Sequence, residues 1–305
     1  MGTPEFAVKI VEKISLNHEV VLVVTQPDKL AGRKNELMAS AVKKWAIDKR
    51  IPIYQPTSIK KEFNTILNNK CDIIVTAAYG QIVPDIVLNH PKYKAINVHA
   101  SLLPKYRGGA PIQKALLNGD EVTGISIIYM TSKMDAGDII MQKSIKIDEN
   151  DYQNNLFDKL GDLGSIMISE CLEKIEKNLV ETVPQNEEFV SYAPNIKKED
   201  EKILFTKNAF QIRNQVRALN PNPGCYFELD DKKIKVFKVN SLLIESKYES
   251  GQIIDIKKDS FFIACAEQSA VEILELQLEG KKKMSVRDFL NGTGRNIILK
   301  DKKIQ

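Results

Sequence analysis

Short apolar runs alternate with amphipathic stretches over roughly the first half of the chain. A short run rich in β-branched residues is typical of a buried strand, and apolar residues every three or four positions are typical of a helix. Strands and helices that alternate through short connections form a mainly parallel sheet covered on both faces, so the pattern predicts an α/β fold. The predicted strands are 20–26, 51–56, 71–80 and 95–99, and the predicted helices are 36–50, 58–70, 84–89 and 109–120.

The pattern changes in the second half of the chain. A period of two over 123–131 and 137–147 predicts an antiparallel pair of strands, and a long helix is predicted over 151–178. Prolines and charges without periodicity then indicate a linker. A helix over 208–220 and several short apolar runs follow, which predicts a small β-barrel or sandwich. The predicted organisation is a first domain over 1–183, a linker over 184–202 and a second domain over 203–305.

Charge is distributed unevenly along the chain. Residues 1–200 carry 25 Lys+Arg and 26 Asp+Glu, whereas residues 201–305 carry 19 and 14, and the net charge is +4. A basic second part is expected where a protein meets a polyanion. A Lys-rich solvated surface explains the same numbers, and charge alone favours that interpretation.

Membrane, secreted and zinc-binding proteins are disfavoured by the sequence. No apolar run is long enough to span a bilayer, and the first ten residues lack the basic and apolar regions of a signal peptide. Cys71, Cys171, Cys225 and Cys265 are far apart and form no CxxC pair, which argues against a zinc site or a disulfide framework. We therefore expect a cytoplasmic protein.

Polar side chains cluster where a predicted strand ends, in AINVHASLLPKYRGG (95–109). Asn97 and His99 are two positions apart, so both face one side of the strand, at the sheet edge where ligands of such folds bind. Histidine suits proton transfer near neutral pH, and an amide donor suits an oxygen that becomes negative during acyl transfer. Asp135, in a glycine-containing loop, is a candidate to orient His99. A histidine at a strand end is more often only hydrogen-bonded, so these residues alone leave both interpretations open.

Two segments resemble the signature sequences of the folate-dependent formyltransferases. They are INVHASLLPKYRGGAPIQKAL (96–116) and MDAGDI (134–139). The opening MGTPEFAV, the loop TQPDKLAGR and the later stretches YAPNIKKEDEKI and VRALNPNPGCYFEL narrow the resemblance to the methionyl-tRNA formyltransferase family. The resemblance extends from Met1 nearly to the C-terminus. It implies a Rossmann-like, mainly parallel formyltransferase domain followed by a smaller OB-like β-barrel domain.

The resemblance also implies an activity and its partners. Members of this family transfer the formyl group of 10-formyltetrahydrofolate to the free amino group of methionyl-initiator tRNA, which supports translation initiation. The folate is a co-substrate, and no metal is implied. We expect a monomer that works without a membrane.

Residue roles can be carried over one position at a time. The family's catalytic positions fall on Asn97, His99 and Asp135. Its folate-contacting turn falls on Ser101, Leu102, Leu103 and Pro104. Contacts with tRNA are expected from a loop around 28–37 and from the second domain. The cations named for this role are Arg33, Lys34, Arg213, Arg217, Lys281, Lys282 and Lys283.

Several positions depart from the family pattern. The loop LAGRKNELMAS has Glu36 in place of a basic residue and Leu30, Ala39 and Ala41 in place of prolines, so it is less cationic. Asn222 stands where the family commonly has tryptophan. MGTPEFAV resembles the loop and helix that follow a first strand. We therefore expect either a start upstream of Met1 or a chain that begins later than is usual for this family.

Three other functions compete with this interpretation. A sibling formyltransferase would use another amine, such as a sugar nucleotide or glycinamide ribonucleotide. A scaffold that binds tRNA without catalysis is a second alternative, although the presence of Asn97, His99 and Asp135 argues against it. A dinucleotide-dependent oxidoreductase is disfavoured because the chain has no GxGxxG fingerprint.

Overall fold

The computed structural model describes residues 1–31 and 36–304 of the 305-residue chain, which divides into two compact units. The first unit comprises Met1–Pro111, Val122–Ile147 and Leu156–Asn195, and the second comprises Ile112–Glu121, Asp148–Asn155 and Ile196–Gln305. The chain last passes between the units after Asn195, within the segment predicted as a linker. The predicted domain bounds stay a prediction. None of the described helices is both long and apolar enough to cross a membrane.

Helices and strands alternate from Met1 to Glu176, as the apolar pattern predicts. In chain order they are α1 (Glu5–Ser15), β1 (Val23–Val24), β2 (Lys29–Ala31), β3 (Glu36–Met38), α2 (Ala41–Asp48), β4 (Ile53–Tyr54), α3 (Asn64–Leu67), β5 (Ile74–Thr76), α4 (Asp85–Leu88), β6 (Ala95–His99), α5 (Pro111–Asn118), β7 (Val122–Tyr129), β8 (Ile139–Lys146) and α6 (Gln153–Glu176). Local chemistry sets some of their ends. Ser40 caps α2 by accepting a hydrogen bond from the Lys43 N–H.

The strands of the first unit bring polar side chains opposite one another. β1 pairs in parallel with β4, and β5 pairs in parallel with β6. β6 then pairs antiparallel with β7, and β7 with β8, so the predicted antiparallel pair is confirmed. In this register Thr76 lies opposite Asn97, and Ser126 lies opposite His99. The predicted α/β fold is confirmed, with two antiparallel strands at one edge.

The first two residues occupy strand positions between β1 and β5. Gly2 forms a parallel bridge with Ala77, and its N–H donates to the Val24 carbonyl oxygen at 3.0 Å. The Met1 amine donates to the Val75 carbonyl oxygen at 2.6 Å. A cavity of about 700 Å³ adjoins them, with residues 20–24 and 71–75 among its lining.

Two of the predicted helices are wrong in part. Residues 36–38 of the predicted helix 36–50 form β3, which pairs antiparallel with β2, and the helix begins only after its cap at Ser40. Of the predicted helix 58–70, only Asn64–Leu67 is helical. The Ser58 carbonyl oxygen accepts from the Lys61 and Glu62 N–H groups and closes a turn before it. Apolar spacing does not register such hairpin pairing or local turns, so it overstates helix length.

The second unit is rich in β-structure. After α6, the chain forms α7 (Ala209–Leu219), β9 (Cys225–Leu229), β10 (Lys232–Leu243), β11 (Ile253–Ile256), β12 (Phe261–Cys265), β13 (Ser269–Leu278), β14 (Met284–Ser285) and α8 (Val286–Asn291). These strands form one antiparallel sheet in the order β11-β12-β13-β10-β9, with β14 beside β13. Asn208 and Gln211 form a capping box that starts α7. The predicted smaller β-rich domain is confirmed.

Candidate active site

Asn97 is held from both sides, two residues before the carboxyl end of β6. The Thr76 hydroxyl donates to Asn97 Oδ1 at 2.8 Å. Asn97 Nδ2 therefore points away from Thr76, and it donates to Asp135 Oδ1 at 3.2 Å. Because an amide oxygen only accepts and an amide nitrogen only donates, the neighbours set the orientation of this side chain.

His99 is buried, with 5% of its surface exposed. Its Nε2 lies 2.9 Å from the Tyr106 carbonyl oxygen. A carbonyl oxygen only accepts, so Nε2 carries a hydrogen and donates it. Nδ1 lies 3.6 Å from Asp135 Oδ2. One ring nitrogen is thus used for anchoring, and the other faces the carboxylate.

Asp135 lies in the loop between β7 and β8 and has a left-handed φ of +51°. Non-glycine residues adopt this conformation rarely, and functional sites are where the surroundings often impose it. The Gly108 N–H donates to Asp135 Oδ2 at 2.9 Å. Gly137 is required two residues later, because a Cβ there would lie 1.8 Å from the Tyr129 carbonyl oxygen. Gly108 and Gly137 thus both help to position the Asp135 carboxylate.

The turn predicted to contact folate, residues 101–104, is fastened to β7 and β8. The Ser126 hydroxyl donates to the Ser101 carbonyl oxygen at 2.6 Å and accepts from the Leu103 N–H at 3.0 Å. Gln142 Nε2 donates to the Leu103 carbonyl oxygen at 3.0 Å. Ser101 and Leu103 are buried, whereas Leu102 keeps partial exposure. The backbone of the turn is therefore held in place, and the partly exposed Leu102 side chain can contact a ligand.

Sequence reasoning missed four side chains that support these groups, namely Thr76, Ser126, Gln142 and Gln185. Strand register would have found three of them, since Thr76 lies opposite Asn97 and Ser126 lies opposite both His99 and Gln142. Gln185 comes from the segment predicted as a linker and has no local signal. Its hydrogen bonds are visible only in the folded chain.

The residues predicted to contact tRNA have different environments. Arg33 and Lys34 lie outside the described residues. Lys281, Lys282 and Lys283 are exposed on the second unit, and Lys283 pairs with Glu275 at 2.6 Å.

The two arginines of α7 are not free cations. Arg213 Nη2 donates to the Glu149 carbonyl oxygen at 3.0 Å. Arg217 is 6% exposed and donates to the Asp151 and Asp148 carbonyl oxygens at 2.9 and 2.8 Å. Burial lowers the pKa of Arg217. The Arg217 guanidinium joins two segments of the second unit, and its contact with tRNA stays a prediction.

Over residues 1–31 and 36–304, no group of three or more His, Cys, Asp and Glu side chains is arranged to hold a metal ion. The four cysteines are free thiols, and three of them are buried. Asn97, His99 and Asp135 offer an amide, an imidazole and a carboxylate beside the backbone of residues 101–104.

Comparison with known proteins agrees with the geometry. Residues 1–172 match the model of a formyl transferase domain, and residues 195–294 match the model of a formyl transferase C-terminal domain. A methionyl-tRNA formyltransferase of Staphylococcus epidermidis is 43% identical over 301 residues, which are 98% of this chain and 96% of the relative. A methionyl-tRNA formyltransferase of Lactobacillus gasseri is 46% identical over 297 residues, which are 96% of this chain and 94% of the relative.

A solved structure extends the likeness to the fold. It is an N-formyltransferase from Helicobacter canadensis in complex with folinic acid and dTDP-3-aminofucose, which has 22% identity and a TM-score of 0.68. The match covers 89% of this chain and 96% of that one. The two domain matches and the nearly full-length relatives leave one conclusion: the chain belongs to the formyl transferase family, among its methionyl-tRNA formyltransferases.

Proposed function

We propose that this chain transfers the formyl group of 10-formyltetrahydrofolate to the amino group of methionyl-initiator tRNA. The observation that carries the proposal is the meeting of Asn97, His99 and Asp135. Asp135 lies 3.2 Å from the Asn97 amide nitrogen and 3.6 Å from the His99 ring nitrogen. Relatives at 43% and 46% identity that carry the name methionyl-tRNA formyltransferase supply the acceptor.

The reaction needs a site for developing negative charge. The amino nitrogen of the methionyl ester attacks the formyl carbon, a new C–N bond forms, and the bond from that carbon to folate N10 breaks. Asn97 Nδ2 donates to the formyl oxygen while it carries negative charge, and the His99 ring, which is anchored through Nε2, donates there only with a hydrogen on Nδ1. Asn97 Nδ2 has a second hydrogen besides the one given to Asp135, so it serves both groups.

The reaction also needs a group that moves one proton. The attacking amine must lose a proton, and the departing N10 must gain one. Asp135 takes the first and supplies the second, so the enzyme ends as it began. Its carboxylate suits this role because the Gly108 N–H fixes one oxygen, while the exposed fraction of the side chain, 14%, leaves an approach for substrate.

The chain's residues fit a folate donor. The donor brings an activated formyl group, so no other energy source is required. Residues 101–104 bind the folate ring system in this proposal. Ser126 and Gln142 hold their backbone in place, and Leu102 offers apolar contact. The tRNA acceptor binds electrostatically in this proposal, with its phosphates contacting Arg33 and the exposed lysines of the second unit. We propose that the protein acts as a monomer in the cytoplasm.

The test is transfer of a labelled formyl group from 10-formyltetrahydrofolate by the purified chain. The acceptors are methionyl-initiator tRNA, methionyl-elongator tRNA, an amino-sugar nucleotide and glycinamide ribonucleotide. We expect product with the initiator tRNA in preference to the others. His99→Ala and Asp135→Ala should each lower kcat by roughly 10²–10³-fold, whereas His90→Ala, at an exposed histidine, should not.

Two outcomes would contradict the proposal. Transfer to the sugar nucleotide or to glycinamide ribonucleotide, with none to methionyl-tRNA, would assign a sibling activity. Tight binding of the tRNA without transfer to any acceptor would assign the non-catalytic scaffold.

A further inference from the structure

The Gln185 side chain uses its whole hydrogen-bonding capacity beside the candidate active site. Its Nε2 donates to the carbonyl oxygens of Asp135 and Gly137, both at 2.8 Å. Its Oε1 accepts from Arg107 Nε at 3.0 Å and from Arg107 Nη2 at 2.8 Å. A glutamine amide has two donor hydrogens and one oxygen with two lone pairs, so all four positions are filled.

The partners force one orientation on this amide. A guanidinium only donates, so it must face the oxygen, and the two carbonyls only accept, so they must face the nitrogen. Neither a flipped amide nor a carboxylate satisfies both sides. The position therefore demands glutamine for chemical reasons that a generic linker residue would not have.

The same contacts close a ring around Asp135. Arg107 is buried, with 4% exposed, and the next residue, Gly108, donates its N–H to Asp135 Oδ2 at 2.9 Å. The Arg107 guanidinium donates to Gln185 Oε1, and Gln185 Nε2 in turn donates to the Asp135 carbonyl oxygen. Asp135 is thus tied to one dipeptide twice, once by its side chain and once by its backbone.

The loop needs such a tie. Asp135 has a φ of +51°, and residues 131–134 before it are exposed. A left-handed non-glycine residue persists when the surroundings hold it. Gln185 holds the carbonyls of Asp135 and of Gly137, on both sides of the intervening residue.

We propose that Gln185 is a positioning residue for the transfer reaction, which keeps the Asp135 carboxylate aimed at His99 and Asn97 by clamping loop 135–137 to Arg107. The inference rests on the proposed catalytic role of Asp135. It assigns a function to a segment that the sequence pattern presents only as a linker.

The test compares Gln185→Glu and Gln185→Met with wild type. Gln185→Glu keeps an acceptor for Arg107 but sets a carboxylate oxygen against two carbonyls, and Gln185→Met removes both sets of bonds at similar length. The matched control is Glu188→Gln, an exposed residue of the same segment. The double variant Gln185→Glu with Glu188→Gln restores the net charge, which separates the loop effect from repulsion of tRNA.

We expect kcat to fall by roughly 10- to 100-fold in both Gln185 variants and in the double variant. The KM values for folate and tRNA should stay within about twofold of wild type, because the ligands themselves are not touched. Amide hydrogen exchange of residues 131–138 should become faster than in wild type, while exchange of the second unit stays the same. Glu188→Gln should match wild type in all three measurements.

A kcat within about twofold of wild type in both Gln185 variants would overturn the inference. So would unchanged exchange of residues 131–138. The exchange measurement needs no turnover, so it tests the clamp even if wild type fails to formylate methionyl-tRNA. That failure would instead count against the proposed function.

Discussion

Single residues in the candidate active site are oriented by their hydrogen-bond partners. The Thr76 hydroxyl fixes the Asn97 amide, and the Tyr106 carbonyl fixes the His99 ring. Because these hydrogen bonds exist before substrate binds, the two side chains need not reorient during the reaction. Catalytic power at this scale therefore depends on residues that never touch substrate.

Thr76→Val tests this dependence. Valine fills a similar volume but donates nothing to Asn97 Oδ1, so the amide loses the contact that orients it. We expect kcat to fall by roughly tenfold while the melting temperature shifts by only a few degrees. Thr123→Val, at another buried threonine of the sheet, is the control. Equal losses of kcat in both variants would show a general packing effect instead.

Gly137→Ala tests the close approach in the loop. The added Cβ would lie 1.8 Å from the Tyr129 carbonyl oxygen, so the loop must move, and we expect about 1–3 kcal/mol of lost stability together with a lower kcat. Gly161→Ala is the control, because its Cβ would chiefly meet the flexible Lys9 side chain. Denaturant unfolding and formyl transfer are the measurements. A Gly137→Ala enzyme with wild-type kcat would show that the loop tolerates displacement.

Elements of the second unit are joined by Arg217, whereas cations expected to meet tRNA lie elsewhere. α7 places Arg217 against the segment 148–155, and its three nitrogen donors contact two backbone carbonyls and Asn214. We expect a buried guanidinium that satisfies carbonyls to stabilise packing rather than to bind a phosphate. The position of an arginine on its element, and not its residue type, therefore distinguishes an arginine that stabilises packing from one expected to bind tRNA.

Arg217→Met and Arg33→Glu should have opposite consequences. Arg217→Met removes the guanidinium hydrogen bonds to the Asp148 and Asp151 carbonyl oxygens, so we expect a loss of about 2–4 kcal/mol in stability and an unchanged salt slope of tRNA binding. Arg33→Glu should keep stability, weaken binding and lower the salt slope by about 1. Lys60→Glu, an exposed lysine, is the control for charge change. A reduced slope in a stable Arg217→Met protein would restore Arg217 as a phosphate contact.

At the scale of the whole molecule, a free amine at Met1 would couple folding to pH. Burial lowers the pKa of the Met1 amine from 8.0 to about 5. The amine nevertheless stands in a strand position and donates to Val75. Between these pH values the unfolded chain binds a proton that the folded chain excludes, so acid favours unfolding.

For protein that begins at Met1, the free energy of unfolding should therefore fall as the pH drops from about 8 to about 5, by up to about 4 kcal/mol. Denaturant unfolding across this range measures the effect. Chain with an acetylated amine binds no proton there, so it serves as the control. Parallel pH curves for the free and acetylated proteins would contradict the prediction.

Much of the fold follows from local pattern. The strand 95–99, the antiparallel pair and the long helix were all predictable, because buried strands and amphipathic helices carry periodic signals. Hairpin strand 36–38 was not, since exposed residues carry no burial signal and their pairing depends on β2. Asn97, His99 and Asp135 were candidates from residue type and position, and resemblance to a family turned that interpretation into an expectation.

The sequence by itself determined the α/β and β-rich order of the chain, the family to which it belongs, and the residue types at the candidate site. Those properties depend on local pattern or on motifs, so they can be read from the sequence without the tertiary structure. Only the tertiary structure decided that Gln185 reaches Asp135 across 50 residues of chain, and that Arg217 turns inward. Which acceptor meets which donor is set by packing, and hydrogen-bond geometry over long separations has no trace in local pattern.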